Sequence, residues 1–412
     1  MGKANLEVAD IFCEYGGVFH RKFGKSLSRE QLRTIQAIKI CRTAELGGHI
    51  DRCDNCGHEV ISYNSCRNRH CPKCQSLAKA RWLEARETEL LSADYFHVVF
   101  TIPKALNQIV LQNKREVYDI LFKAVAQTLL TIAADRNHLG AKIGFMAVLH
   151  TWGQNLLLHP HIHCLIPGGG LSHDEKKWIE CKKKFLLPVR VLSRLFRRLF
   201  LEFLIKSFNK GRLKFYGKTI HLSDPKLFSK LIEKCFKTEW VVYSKPPFGG
   251  PEKVLDYLSR YTHRIAISNN RLLRLEDGKV TFTWRNYKNG KKLQNMTLQA
   301  EEFIRRFLLH VLPSGFMRIR YFGFLSNRHR NRKLKHCREL LRQKFTNSIL
   351  KSMDWKKHYE YLTGNKVDLC PLCGKGHMIT CQKLLPLRFL FIRPPPQRAS
   401  NDFNTSKFQI HL

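Results

Sequence analysis

The hydrophobic and polar positions of this chain change repeatedly between a helical and a strand-like period. Apolar residues recur at three- and four-residue spacing up to about residue 44 and again over 106–134 and 188–208, which predicts helices in these segments. The last of these begins with Pro188, a residue that suits the first turn of a helix. The mostly apolar run 96–102 is followed by Pro103 and predicts a buried strand.

Later segments predict an antiparallel sheet. The runs GFMAVLHT (144–151) and HIHCLIP (161–167) have the composition of strands, and the short connection between them leaves no room for a crossover helix. Residues 240–244 predict another strand, and 271–275 with 279–285 predict a hairpin around an Asp-Gly turn. With further helices predicted at 252–267 and 301–312, the fold class is α+β: a mainly antiparallel sheet flanked by helices.

Changes in composition divide the chain into four predicted domains. A helical and cysteine-rich region covers 1–92, the sheet-forming region covers 93–312, a strongly basic extension covers 313–369, and residues 370–412 contain a second cysteine pair and a polar tail. The basic extension includes Arg318, Arg320 and Arg328, which we expect to bind DNA phosphates.

The net charge narrows the choice of partner. The 412 residues include 72 Lys and Arg against 33 Asp and Glu, a formal charge of +39. So basic a chain repels itself unless a polyanion is near, which favours nucleic acid over its rival, an anionic membrane surface. No uncharged apolar stretch reaches the ~18–20 residues of a membrane span, and the N-terminus has no signal-peptide pattern. We expect a cytoplasmic, nucleoid-associated protein without a membrane partner.

The cysteines indicate structural zinc. Cys53-x-x-Cys56 and Cys71-x-x-Cys74 have the spacing of two knuckles that hold one tetrahedral zinc ion with no open position for chemistry. Two alternatives remain. In the first, Cys66 or His70 replaces one of the four thiolates; in the second, the eight Cys and His of this region hold two ions. Farther along, Cys370 and Cys373 with His377 and Cys381 predict a separate Cys3His site.

Two histidines predict a second kind of metal site. His161 and His163 alternate with Ile162 on one predicted strand, so both imidazoles leave the same face of the sheet. Gln154, in the preceding loop, can reach the same place, and His150 and His159 are the alternatives as third ligand. Such a set would leave open positions on a divalent ion. By itself, a His-x-His strand more often carries ordinary hydrogen-bonded histidines.

Two tyrosines form the other candidate constellation. Tyr257 and Tyr261 lie four residues apart on a predicted helix, so their phenols project from one face. Arg260 and Arg264 form a parallel basic stripe that can hold DNA phosphates. Taken alone, tyrosines at this spacing more often pack into a core.

Together these segments resemble a known family. The stretches that carry the resemblance are SCRNRHCPKCQ (65–75), HTWGQNLLLHPHIHCLIPGGG (150–170), LPVRVLSRLFRRLF (187–200), YLSRYTHRIAISNNRL (257–272), EFIRRFLLHVLP (302–313) and GFMRIRYFGFLSNR (315–328). They resemble the two-tyrosine rolling-circle transposases of the insertion-sequence-91 family, within the HUH endonuclease superfamily, over nearly the whole chain. This implies an HUH-like sheet with an N-terminal zinc-binding domain.

The resemblance also implies a reaction. His161 and His163, with Gln154, would bind Mg²⁺ or Mn²⁺, while Tyr257 and Tyr261 would be the nucleophiles. One phenolate would attack single-stranded DNA at an end of the mobile element, leaving a 5′-phosphotyrosine and a free 3′-OH, and the second would allow joining to target DNA. Host replication machinery is a further implied partner.

Two other functions compete with this one. A plasmid replication initiator or relaxase would share the histidine and tyrosine pairs, but the cysteine region and residues 302–328 favour a transposase. A non-catalytic, zinc-dependent DNA-binding regulator would explain the charge and the cysteines, but it gives no reason for the histidine and tyrosine pairs.

Overall fold

The chain forms two compact units. The computed structural model describes residues 6–74, 82, 86, 89–182, 184–245, 266–286, 290, 292–343, 360, 366 and 368–387. Unit 1 comprises residues 1–39 and 66–365, and unit 2 comprises residues 40–65 and 366–412. This division differs from the four consecutive domains predicted from composition, because unit 2 combines segments from both ends of the chain.

Unit 1 begins with the two predicted N-terminal helices, α1 (Val8–Phe23) and α2 (Arg29–Lys39). They pack near α7 (Ala300–Leu309), where the Phe12 and Phe307 rings meet edge to face at 5.3 Å. Gln31 Nε2 also donates to the carbonyl of Leu308 at 2.9 Å. These contacts attach the N-terminal helices to a helix almost 300 residues later in the chain.

A five-stranded sheet lies at the centre of unit 1. Its strands are β3 (Tyr95–Thr101), β4 (Gly144–Trp152), β5 (Leu158–Pro167), β8 (Val242–Lys245) and β12 (Ile319–Gly323). Their order is β12-β4-β5-β3-β8, and every neighbouring pair is antiparallel. The predicted antiparallel pairing of 144–151 with 161–167 is therefore confirmed.

Helices cover one face of this sheet. They are α3 (Asn107–Gln112), α4 (Lys114–Ala134), α5 (Val189–Asn209) and α6 (Pro225–Lys237). Their apolar residues join one large core with Phe145, Ile162 and Ile166 from the strands. The predicted α+β class, a mainly antiparallel sheet flanked by helices, is confirmed.

The predicted helix over 106–134 is interrupted at Asn113. Asn113 leaves the helical conformation. Its side-chain amide donates to the carbonyl of Lys214 and accepts a hydrogen bond from the backbone N–H of Lys214. The helix that follows, α4, is long and apolar enough by composition to cross a membrane, but most of it is buried inside the protein. The burial is that of a core helix.

A second sheet carries the predicted hairpin. Strands β9 (Leu272–Glu276), β10 (Lys279–Asn286) and β11 (Lys292–Gln299) are ordered β11-β10-β9. Asp277 and Gly278 both have positive φ, at 49° and 72°, as a tight two-residue turn requires. Sequence patterning missed β11, whose residues are largely polar.

The basic segment after Pro313 is more structured than expected. It supplies β12, an edge strand of the central sheet, and then α8 (Arg330–Leu340). Leu334 and Cys337 of α8 join Phe324 and Leu171 in a small satellite core. Residue 171 ends β6 (Gly169–Leu171), which pairs with β7 (Trp178–Glu180). Residues 313–340 are thus part of unit 1 and not a separate extension.

Unit 2 is built around a small three-stranded sheet. β1 (Gly48–Cys53) pairs on one side with β2 (Glu59–Tyr63) and on the other with β13 (Met378–Leu384), both antiparallel. Two segments more than 300 residues apart in the sequence therefore share one sheet. The sequence patterns had predicted none of these three strands.

Candidate functional site

Three histidines meet on the face of the central sheet that is opposite the helices. Alternation along β5 sends His161 and His163 to this face, while Ile162 and Cys164 enter the main core. His150 on β4 is directly paired with His161 and lies on the same face. The potential ligand nitrogens of these three residues lie within 4.8 Å of one another, and all three side chains are buried.

Hydrogen bonds orient the imidazoles of His161 and His163. His161 Nδ1 is 2.6 Å from the carbonyl of His159 and must donate to it, which leaves the Nε2 lone pair for another partner. His163 Nδ1 is 2.7 Å from Nε2 of His97 on β3, and the two rings are stacked at 5.0 Å. Metal-binding histidines are usually held in this way through their second nitrogen.

Burial keeps these imidazoles neutral. It lowers the pKa of His161 to about 3 and that of His163 well below its usual value of 6.5. Neutral imidazole is the form that binds a metal ion. Two neutral imidazoles that converge with the buried side chain of His150 therefore have the chemistry of a divalent transition-metal site.

The third histidine of the cluster is not the third ligand that the sequence favoured. His150 was an alternative to Gln154, and the structure places His150 in the cluster with His161 and His163. Gln154 lies in the turn between β4 and β5, where its carbonyl accepts from Arg271 Nη2 at 2.7 Å. The pairing of His150 with His161 depends on an irregularity of register between His150 and Trp152, and the contribution of His97 depends on the neighbouring strand, so the sequence pattern predicted neither.

The predicted single zinc site is wrong in its grouping, because the two N-terminal Cys-x-x-Cys pairs lie in different thiol clusters. Cys53 and Cys56 lie with Cys370 and Cys373, all within 4.8 Å of one another. In unit 1, Cys71 and Cys74 lie with Cys66, whose Sγ is 3.6 Å from that of Cys74. Two thiol clusters agree with the alternative of two ions in number but not in ligands, because Cys370 and Cys373 lie outside the eight Cys and His considered from sequence.

Two other predicted zinc ligands have different contacts. Nε2 of His70 accepts a hydrogen bond from the backbone N–H of Leu312 at 3.4 Å, so this nitrogen faces the backbone. The Cys3His site predicted at 370–381 is also wrong. Cys370 and Cys373 lie with the N-terminal thiols, while Cys381 Sγ donates to the carbonyl of Ile50 and His377 pairs with Asp368.

The tyrosine constellation lies outside the described residues. Tyr257, Arg260, Tyr261 and Arg264 all belong to the segment 246–265, so their relation to the histidines remains a prediction from sequence.

Comparisons with known proteins give the family. A family model described as "Transposase zinc-binding domain" matches residues 11–102, and one described as "Putative transposase" matches 144–333. The "Putative transposase y4qJ" of Sinorhizobium fredii (strain NBRC 101917 / NGR234) is 56% identical over 384 residues, 93% of this chain and 96% of that protein. The chain belongs to the insertion-sequence-91 family of transposases.

Further relatives agree with this assignment. The "Transposase for insertion sequence element IS801" of Pseudomonas savastanoi pv. phaseolicola is 28% identical over 301 residues, covering 72% of this chain and 71% of that protein. The rolling-circle transposase predicted from sequence therefore holds over the relaxase, initiator and regulator alternatives. Zinc, predicted from the cysteines, is confirmed as its structural cofactor by the zinc-binding domain and the thiol clusters.

Solved structures add no independent support. Conjugative relaxase TrwC in complex with OriT DNA matches 59% of the transposase and 72% of that chain, at 13% identity and a TM-score of 0.23. The metal-bound TrwC structure has the same identity and TM-score and is matched over 71%. Similarity at this level carries no conclusion about the transposase.

Of the five arginines predicted to bind DNA, the three in the basic segment after Pro313 have unequal surroundings. Arg328 is exposed. Arg320 forms an ion pair with Asp119, and its guanidinium lies 4.2 Å from the centre of the Phe122 ring. Arg318 is partly buried, and desolvation lowers its pKa to about 10. Arg328 is therefore the best placed of the three to contact a phosphate.

Proposed function

We propose that the transposase cuts single-stranded DNA at the histidine cluster, where His150, His161 and His163 hold a divalent ion. The observation that carries this proposal is the convergence of three buried imidazoles on one face of the central sheet. A structural metal site is usually filled by four protein ligands. Three protein ligands leave at least one coordination position of the ion for a phosphate oxygen.

The chemistry of the donors bears on the identity of the ion. When bound, a divalent ion would withdraw charge from a scissile phosphate and stabilise the negative charge that develops during attack. Of the two ions expected from sequence, imidazole nitrogen suits Mn²⁺ better than Mg²⁺, which prefers oxygen ligands. Gln154 remains a candidate for one further oxygen ligand from the adjacent turn.

Tyr257 and Tyr261 are the proposed nucleophiles. The phenol oxygen of one tyrosine forms a bond to phosphorus, the bond from phosphorus to the 3′ oxygen breaks, and the phenol proton is released. The products are a 5′-phosphotyrosine and a free 3′-OH, so the bond energy is kept for rejoining. The second tyrosine repeats the step, which lets the element leave as a single strand and join target DNA.

The proposed partners of the transposase are DNA and the host replication machinery. The substrates are the single-stranded ends of the mobile element and its target DNA, bound in part by Arg260, Arg264 and Arg328. A transposase of a DNA element acts in the cytoplasm, and we propose that this one acts at the nucleoid with host replication machinery.

The decisive experiment detects the covalent intermediate. The purified transposase is incubated with Mn²⁺ and a single-stranded oligonucleotide carrying one end of its element, and adducts that survive denaturant are counted. Tyr257→Phe combined with Tyr261→Phe should abolish adducts and leave DNA binding intact. Tyr216→Phe, at an exposed tyrosine on another segment, is the matched control and should react like the wild type. Adducts that persist in the double variant would refute the assignment of the nucleophiles.

The same assay tests the histidines. His161→Ala should lose adduct formation, because it removes one of three ligands. His159→Ala should keep most of it, because residue 159 supports His161 through its backbone carbonyl. If His161→Ala formed as many adducts as His159→Ala does, His161 would not be a ligand of the metal site.

A further inference from the structure

Unit 2 contains two cysteine knuckles of the same construction. Knuckle A is residues 53–57 and knuckle B is residues 370–374, and each has the pattern Cys-x-x-Cys-Gly. In each, the glycine N–H donates to the carbonyl of the first cysteine, at 3.1 Å for Gly57 and 3.0 Å for Gly374. Both glycines have positive φ, 72° and 63°, a conformation that glycine adopts without strain.

The four sulfur atoms of the two knuckles have the spacing of a tetrahedral site. Cys53 Sγ lies 3.8 Å from Cys373 Sγ, and Cys56 Sγ lies 3.7 Å from Cys370 Sγ. Four sulfurs placed about 2.3 Å from one zinc ion at the corners of a tetrahedron are about 3.8 Å apart. The observed distances match this edge and are far longer than the ~2.05 Å of a disulfide.

Backbone groups are arranged around these sulfurs as they are around thiolates. The N–H groups of Asn55 and Gly376 point at Cys53 Sγ and Cys373 Sγ, each at 3.4 Å. Such hydrogen bonds stabilise negative charge on sulfur, the form in which cysteine binds a metal.

The two knuckles also fit closely against each other. A Cβ atom on Gly376 would lie 2.5 Å from Cys53 Sγ and 2.6 Å from Asp54 Oδ1, so no larger residue fits without displacing knuckle A. The backbones are joined as well, because Asp54 N donates to the carbonyl of His377 at 3.1 Å and His377 N donates to Asp54 Oδ1 at 2.7 Å.

We propose that knuckles A and B together bind one zinc ion, which fastens the C-terminal segment 366–387 to the N-terminal segment 40–65. The family model for the zinc-binding domain ends at residue 102, so knuckle B is a component of zinc binding that lies outside it. The ion closes a chain loop of 314 residues between Cys56 and Cys370. A sheet this small has little apolar core, and binding of zinc supplies the stability that burial cannot.

The test follows the order in which cysteines of the full-length wild type become reactive. Zinc is withdrawn stepwise with a chelator, freed thiols are alkylated, and each labelled cysteine is identified by mass spectrometry. The proposal expects Cys53 and Cys56 to become reactive together with Cys370 and Cys373. Reaction of Cys53 and Cys56 in step with Cys71 and Cys74, while knuckle B reacts separately, would overturn it. This readout needs neither activity nor a substituted protein.

Zinc content of variants gives a second, independent measurement. Cys53→Ser with Cys56→Ser and Cys370→Ser with Cys373→Ser should each lose the same single equivalent of zinc, and the combined variant should lose no more than that. Cys13→Ser, at an exposed cysteine in α1, is the control and should keep all of its zinc. Loss of one equivalent by each pair and two by the combination would show separate sites and refute the proposal. In the knuckle B variant, Cys66, Cys71 and Cys74 should stay protected from alkylation, which distinguishes local loss of zinc from general unfolding.

Discussion

At the scale of single residues, the position of one proton decides whether His163 can bind a metal ion. If His163 coordinates through Nε2, its own proton must lie on Nδ1 and be donated to Nε2 of His97, 2.7 Å away. His97 must then carry its proton on Nδ1. Burial lowers the pKa of His97 to about 4, so it is neutral near pH 7 and has a lone pair for this role.

This arrangement predicts a graded effect of substituting His97. His97→Phe removes the acceptor and should raise the Mn²⁺ concentration for half-maximal adduct formation about 10–100-fold, the usual cost of losing such a supporting contact. His97→Gln keeps an acceptor oxygen and should recover part of that loss. His221→Phe, at an exposed histidine, is the control.

The His97 experiment also needs a control measurement that a general packing defect would change. Binding of single-stranded DNA without metal should be the same in all three variants. An unchanged Mn²⁺ requirement in His97→Phe would mean that His97 does not position His163.

At the scale of elements, the backbone of the edge strand β12 lies very close to that of its neighbour β4. It ends at Gly323, which has φ of 60° and whose α-carbon pairs with Gly144 of β4. A Cβ atom at position 323 would lie only 1.8 Å from the carbonyl oxygen of Ile143. Close approach of the two backbones therefore requires glycine here.

Two glycine substitutions separate this close approach from conformational strain. Gly323→Ala and Gly315→Ala both place alanine at positive φ, which costs about 1–2 kcal/mol. Gly315 has φ of 67° with nothing within 4 Å of the added Cβ, so its variant should show this cost alone. Gly323→Ala should lower the free energy of unfolding further, because β12 must move away from β4. Equal denaturation midpoints for the two variants would contradict the close fit.

The pH dependence of stability should include a contribution from Glu302 in α7. This carboxylate accepts from Arg305 Nε and Nη2 at 2.6 and 2.9 Å and from Arg306 Nε at 2.7 Å. The hydrogen bond from Arg305, with that from Arg306, lowers the pKa of Glu302 to about 2. Because the folded-state pKa lies below the unfolded value near ~4.3, the stabilisation is present above about pH 4.5 and is lost as pH falls towards 2.

A pair of variants measures this contribution. The difference in urea midpoint between the wild type and Glu302→Gln should shrink as pH is lowered from 6 to 3. The difference should be modest, since water screens an ion pair that is partly exposed. Glu239→Gln, at an exposed carboxylate with no ion pair among the described residues, should show little difference at either pH. A pH-independent difference for Glu302→Gln would refute the depressed pKa.

Elements with a strong local pattern could be predicted from sequence, and elements defined by distant partners could not. The strands of 144–152 and 158–167 have the apolar composition of strands and a short connection, so both their existence and their antiparallel pairing followed. β12 consists of Ile, Arg, Tyr, Phe and Gly in a basic segment, and its pairing with β4 makes it a strand. β13 is exposed along most of its length and depends on β1, more than 300 residues earlier.

The same contrast applies to the metal sites. His161 and His163 are two residues apart, so the geometry of a strand was enough to place them on one face. The grouping of thiols depended on where residue 370 returns in space, and spacing within the N-terminal segment suggested the wrong partners for Cys53 and Cys56.

At the scale of the whole molecule, the charge of +39 is not uniformly available to DNA. Some basic side chains are already committed within the protein, as Arg320 is to Asp119 and to the face of Phe122. Others, such as Arg328, are exposed. Only side chains that displace counterions from phosphates on binding contribute to the salt dependence of affinity.

Two arginine variants should therefore differ in a salt titration. For single-stranded DNA, the plot of log affinity against log salt concentration has a slope of about −0.7 per neutralised phosphate. Arg328→Ala should make the slope shallower by about 0.7, with unchanged thermal stability. Arg320→Ala should leave the slope nearly unchanged but lower the melting temperature, because it removes an ion pair and a cation–π contact inside unit 1. If Arg320→Ala changed the slope and Arg328→Ala did not, the DNA path would follow the Asp119 side of the sheet and not the exposed turn before α8.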